Sequence, residues 1–112
     1  MVAVHQFCNI GRHAFIAGGS LVRKDIPPFV KAAREPLSYV GINSVGLRRR
    51  GFSSEKIREI QNIYRILYQK KFNNTQAINI IEAEVEATSD RDEILVFIKD
   101  SQRGIMKGYI QN

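Results

Sequence analysis

Arg48, Arg49 and Arg50 are the residues here whose type and spacing speak most directly of binding chemistry. A guanidinium offers a planar fork of donors that matches phosphate oxygens. Successive side chains on a helix point about 100° apart, so three adjacent arginines cannot all meet one anion. A basic turn of this kind could also bind RNA, or nothing. The chain has two histidines, His5 and His13, and a single cysteine, Cys8. An imidazole suits proton transfer near neutral pH, but a lone histidine is more often a satisfied surface or corner residue than a ligand. Cys8 has no partner for an intrachain disulfide and suits a reducing compartment.

The elements that must position these residues belong to a chain of 112 residues, enough for one domain or the tail of a larger one. Lys and Arg number 17 against 11 Asp and Glu, with a pI near 9.8. That field favours anionic partners: nucleic acid, nucleotide phosphates or an acidic carrier protein. Residues 1–20 lack a basic start, and their apolar positions are interrupted by His5, Gln6, Asn9 and Arg12, unlike a secretion signal. Apolar runs are only a few residues long, far short of a membrane span. The expectation is a soluble, cytoplasmic protein.

Counting in sixes from Val4 places Val4, Ile10, Ile16 and Val22 at the first position, with the small residues Cys8, Ala14 and Ser20 at the fifth. Ile26 breaks the fifth-position rule. This is the register of a hexapeptide β-helix, where inward aliphatics stack from coil to coil. Two ordinary strands around a glycine-rich turn would fit the spacing as well. The repeat begins abruptly, with nothing in residues 1–3 to cap it, as if the chain started in the middle of a longer fold. Pro27 and Pro28 are expected to end it, because proline has no ladder donor. An irregular stretch containing Pro36 is expected from there to Gly41. Val45 to Arg50 reads as a short helix closed by Gly51.

Helical periodicity governs the remainder. Ser53 can cap a helix with Glu55 in its first turn, carrying Ile57, Ile60, Tyr64, Leu67 and Tyr68 on one face and Lys70 and Lys71 at its end. Asn74 or Thr75 starts another, with Ala77, Ile78, Ile81 and Val85 inward. Ser89 starts a third, followed by Asp90, Asp92 and Glu93, with Ile94, Leu95, Phe97 and Ile98 inward. Short links between the three imply a small antiparallel bundle.

Two stretches carry a family resemblance: Val4-His5-Gln6-Phe7-Cys8-Asn9-Ile10-Gly11 leading to Asp25-Ile26-Pro27-Pro28-Phe29-Val30, and Gly41-Ile42-Asn43-Ser44-Val45-Gly46-Leu47-Arg48-Arg49-Arg50-Gly51-Phe52-Ser53. Together they resemble the end of the left-handed β-helix and the start of the helical domain of the UDP-N-acetylglucosamine acyltransferases. Ser101-Gln102-Arg103-Gly104-Ile105 is similar to that family's ending. The resemblance implies a β-helix-plus-α fold: terminal hexapeptide coils over 1–30, a connecting segment over 31–52 and a helical domain over 53–112. It implies transfer of a 3-hydroxyacyl group from acyl carrier protein to the 3-hydroxyl of UDP-N-acetylglucosamine, at the start of lipid A synthesis.

The resemblance also implies roles for particular residues. His5 and Gln6 match a substrate-contacting pair. Arg49 and Arg50 match the pair that embraces the uridine and diphosphate end of the nucleotide, helped by Asn43, which leaves Arg48 as the one expected to face solvent. Gly18 matches the position where the acyl chain passes, a hydrocarbon ruler. His13 has no such match and is read as structural. The family's general-base histidine lies several coils upstream of the His-Gln-Phe motif, so no residue here corresponds to it, and this chain alone is expected to be inactive. The sequence departs from the family at Arg34-Glu35-Pro36-Leu37, near the acyl channel, which bears on chain-length preference. No metal or bound organic cofactor is implied. The implied partners are acyl carrier protein, UDP-N-acetylglucosamine and two further copies in a homotrimer, with no nucleic acid and no membrane insertion. Rival readings are an acyltransferase for another sugar nucleotide and a non-catalytic basic module that binds nucleic acid.

Overall fold

In the computed structural model, which describes residues 2–4, 6–69 and 71–108, the six-residue spacing reappears in the backbone. Phe7, His13 and Gly19 each turn the chain with positive φ, at 71°, 61° and 80°. That conformation costs a residue with a Cβ roughly 1–2 kcal/mol, so Phe7 and His13 are held at their corners by the pairing around them. The residue after each corner is the small one, Cys8, Ala14 or Ser20. Between corners run three two-residue strands, β1 (Ala3–Val4), β2 (Phe15–Ile16) and β3 (Leu21–Val22). β1 and β3 pair in parallel, Ala3 with Leu21 and Val4 with Val22, a step of eighteen residues.

Further along, the step shortens to sixteen. Ile10 bridges Ile26, and Phe15 and Ile16 pair with Lys31 and Ala32 of β4 (Val30–Ala33), again in parallel. Three sequence expectations change as a result. The period of six is not kept to the end: Ile26, large at a fifth position, is the fully buried partner of Ile10, displaced because the turn before it is two residues short. Pro27 and Pro28 do not end the pairing either. The amides of Ile26 and Phe29 donate to the carbonyls of Asn9 and Arg12, both at 2.9 Å, so the prolines fill the two places between ladder donors. Gly11 leaves room for them, since a Cβ there would collide with the Pro27–Pro28 backbone. Finally, the stretch toward Gly41 is a hairpin. β4 runs antiparallel to β5 (Ser38–Ile42), with Val30 and Ala32 buried and Lys31 exposed between them, the alternation of a half-covered strand. The turn at Arg34–Leu37 obscured that pattern.

Helix α1 (Ser44–Arg49) follows β5 directly, then α2 (Ser54–Leu67), α3 (Asn74–Glu84) and α4 (Ser89–Asp100). Ser53 caps α2 by accepting the Lys56 amide, and Glu55 lies in its first turn. α3 opens with a capping box between Asn73 and Gln76, and Thr88 caps α4. Lys70, expected at the end of the long helix, lies outside the described residues, and α2 ends at Leu67. Phe97 is half-buried, not inward, because it faces an open cleft beside Ile10.

The core centres on α2, which buries Ile57, Ile60, Ile63, Tyr64, Ile66 and Leu67 and meets α1, α3, α4 and β5. Polar ties join strands to helices. The buried Tyr64 hydroxyl donates to the Pro28 carbonyl at 2.7 Å. Arg12 pairs with Glu93 at 2.8 Å and Asp90 at 3.4 Å, holding α4 beside the His13 corner. Asp25, almost fully buried, accepts from the Asn9 amide at 2.8 Å and the Ser101 hydroxyl at 2.6 Å. Residues 104–108 add a last extended segment against Asp25 and Tyr39. No helix among the described residues is long and apolar enough to cross a membrane.

Candidate basic pocket at helix α1

The short helix α1 cannot hold itself in place by its own few hydrogen bonds, and contacts at both ends fix it. At its start the Asn43 amide donates to the Phe29 carbonyl at 2.9 Å. The Asn43 side chain caps the helix, Oδ1 accepting from the Gly46 amide at 3.3 Å, while Nδ2 donates to the His13 carbonyl at 3.0 Å. Gly46 is required beneath that cap, since a Cβ there would overlap the Asn43 amide. At its end Gly51, with φ of 88°, donates to the Arg48 carbonyl and Phe52 to the Leu47 carbonyl, both at 3.0 Å. Those two bonds form a Schellman closure. Phe52 then packs edge-on against His13 with ring centroids 5.9 Å apart, and His13 lies 6.2 Å from Phe29.

The result is an open pocket of about 530 Å³ between α1 and the β2–β4–β5 sheet. Its polar wall is His13, Lys31, Asn43, Ser44, Arg49 and Arg50, and no Asp or Glu lines it. Arg50 donates to the Gly46 carbonyl at 3.2 Å, one turn back on its own helix. Arg49 makes no ion pair among the described residues. Arg48 is exposed and takes no part in the lining. The His13 pKa is lowered, first by desolvation and then by the charges of Arg50 and Arg12, which disfavours the protonated ring. Cations unopposed by carboxylate in a concave site bind anions, and two guanidiniums favour phosphate oxygens.

Of the residues singled out in the sequence, the fold brings Asn43, Arg49 and Arg50 together here. Asn43 acts mainly by positioning α1, because its side-chain oxygen and amide are both engaged. Gln6 is exposed at a turn and Gly18 at the next corner but one, neither in this pocket. A Cβ at Gly18 would meet nothing within 4 Å, and its φ lies outside the left-handed region. His5 lies outside the described residues. His13, read as structural, also lines the pocket. Lys31 was missed altogether: its place follows from the sixteen-residue pairing with Phe15, which the regular period of six conceals. A larger cleft of about 660 Å³, between Asn9–Arg12 and α4, carries Asp92, Glu93 and Asp100 and repels phosphate.

Residues 25–106 match the family model for UDP-N-acetylglucosamine O-acyltransferase, domain 2. The chain belongs to this family. Among curated relatives, the acyl-[acyl-carrier-protein]–UDP-N-acetylglucosamine O-acyltransferase of Myxococcus xanthus is 41% identical over 96% of this chain, which covers 42% of that protein. The enzyme of the same name from Herminiimonas arsenicoxydans is 45% identical over 94% of the chain, again 42% of its length. A UDP-N-acetylglucosamine acyltransferase structure from Bacteroides fragilis matches with a TM-score of 0.92 at 50% identity, over 95% of this chain and 42% of that one. The strands and four helices thus follow the family's solved structures, and the chain spans about two fifths of the length of the relatives it matches.

Proposed function

We propose that this chain is part of an enzyme that moves a 3-hydroxyacyl group from acyl carrier protein to the 3-hydroxyl of UDP-N-acetylglucosamine, the first step of lipid A biosynthesis. Its own contribution is to hold the nucleotide. The observation that carries this is the acid-free pocket at α1, with Arg49 and Arg50 on its wall, in a chain of this family. Arg49 and Arg50 grip the phosphates and Asn43 sets the helix that presents them. His5 and Gln6 contact the substrate, and Gly18 leaves open space for the end of the acyl chain. Residues 1–30 are the last coils of a left-handed parallel β-helix, supported by parallel steps of eighteen and sixteen residues. Residues 31–52 connect these coils to a helical bundle over 53–112. An acidic acyl carrier protein is steered by the basic surface, and the enzyme works as a cytoplasmic homotrimer.

The test is a nuclear magnetic resonance titration of the isotope-labelled chain with UDP. Side-chain signals of Arg49 and Arg50 and the His13 ring should shift together and saturate. A single-stranded RNA oligomer is the counter-probe, because contacts to a phosphate backbone weaken steeply between 50 and 200 mM salt. Unmoved arginine signals with UDP, alongside tight and salt-sensitive RNA binding, would replace this proposal with the nucleic-acid reading.

A further inference from the structure

The α1 arginines occupy one side of the pocket, and the lysine on the other side belongs to no motif. Lys31 sits on β4 between buried Val30 and Ala32, so its side chain is the exposed member of the strand and reaches the pocket. Its neighbours across the sheet are Phe15 on β2 and Gly41 on β5, and Gly41 puts no side chain on that flank. Arg12, Arg23, Lys56, Arg91 and Lys99 pair with carboxylates elsewhere on the molecule. Lys31 and Arg49, like several other basic side chains among the described residues, have no carboxylate partner, and what sets these two apart is that they share a pocket lined by no acid. Two unneutralised cations on different elements face one concavity.

We infer that Lys31 is a second phosphate anchor, opposed to Arg49 across the pocket, and that the pair selects a nucleoside diphosphate over a monophosphate. This rests on the nucleotide reading of the same site. A diphosphate has two charged groups linked by a bridging oxygen and can engage α1 and β4 at once. A monophosphate satisfies one side and leaves the other unmet. A lysine suits the strand side because a flexible ammonium accepts an approach from many directions, whereas the arginine fork fixes the orientation.

The experiment measures dissociation constants of the chain for UDP and UMP at fixed ionic strength, with Lys31→Met and Lys31→Arg beside the unmodified protein. Lys31 is exposed, so Met should keep the fold, and an unchanged amide spectrum verifies this. Lys31→Met is expected to weaken UDP about tenfold and UMP by less than threefold, with Lys31→Arg close to the parent for both; the loss of one charge-assisted contact sets that scale. Equal losses for UDP and UMP would make Lys31 part of a diffuse field, and no loss for either would remove it from the site; both outcomes overturn the inference. Failure of the unmodified chain to bind UDP would instead overturn the nucleotide reading beneath it.

Discussion

The strands before Pro27 and the helices after Phe52 both carry many apolar side chains and use them differently. Helix α2 buries six of its fourteen residues, and the helices packed around it complete the core. In the strands and corners before Pro27, Val4 is 46% exposed, Ile10 43%, Phe15 50% and Phe7 76%. Among the described apolar residues there, Val22 and Ile26 alone are fully covered. A stacked repeat buries its faces against neighbouring coils, so its stability is the sum of those interfaces. The helical region carries its own core. Order in this molecule therefore spreads from α2 outward and weakens toward β1.

The largest expected effect is a gradient in hydrogen exchange. Amides of α2 from Ile60 to Leu67 should exchange only on global unfolding, while those donated within β1–β3, such as Ala3 to the Ser20 carbonyl, open locally. A ratio of at least about a thousandfold in protection follows if local opening falls about 4 kcal/mol below the global value. Equal protection in the two regions would break the comparison.

Paired truncations sharpen it. Ile63→Ala in α2 removes a fully buried side chain and should cost about 2–5 kcal/mol by chemical denaturation. Ile10→Ala removes a side chain already nearly half in water and should cost less than about 1 kcal/mol. A larger loss at Ile10 would mean that its exposed face is covered in solution by something else.

Asp25 is the tie between the two regions and comes next in size. Asp25→Ala leaves the Asn9 amide and the Ser101 hydroxyl without their acceptor, a loss of roughly 2–3 kcal/mol for buried donors to a charged group. The same substitution should loosen Asn9 and Ser101 together in exchange measurements. Loosening of one without the other would show that the regions are coupled elsewhere, with Arg12 and Glu93 the next candidates.

How much of this was legible in the sequence follows the same division. The helices could be read almost residue by residue, because Ser53 as a cap, Gly51 as a stop and the three- and four-residue apolar steps are local signals. The β region declared its period but not its irregularity: the two-residue shortening before Ile26 and the fit of Pro27–Pro28 between ladder donors depend on a partner sixteen residues away. The candidate site splits likewise. The arginines and Asn43 lie within eight residues of one another and form a motif. His13 and Lys31 join them only through strand pairing and the capping contact, which no local pattern encodes.

The smallest expected effect concerns the tyrosines through which α2 holds β5 and the last segment. Tyr39, Tyr64 and Tyr68 stack, with 4.4 Å between the Tyr39 and Tyr68 ring centroids, and the Tyr68 hydroxyl donates to the Met106 carbonyl at 2.9 Å. Burial pushes the Tyr39 pKa up to about 12 and raises those of Tyr64 and Tyr68 as well. An unfolded tyrosine ionises near 10. The neutral phenols are thus favoured in the folded chain, and their stabilisation is complete below about pH 10 and is lost as pH rises through the folded values. Thermal unfolding should therefore drop in temperature from pH 10 upward. Tyr68→Phe removes one ionising group and one hydrogen bond, so it should lower stability at pH 7 by about 0.5–1.5 kcal/mol and make the alkaline decline shallower. Surface charges, the lysines among them, supply the rival explanation. They are mostly exposed, so their contribution should vanish in high salt, whereas ionisation inside the stack should not. An alkaline decline that high salt abolishes, and that Tyr68→Phe leaves unchanged, would remove the tyrosines as its cause and leave the stack a packing feature alone.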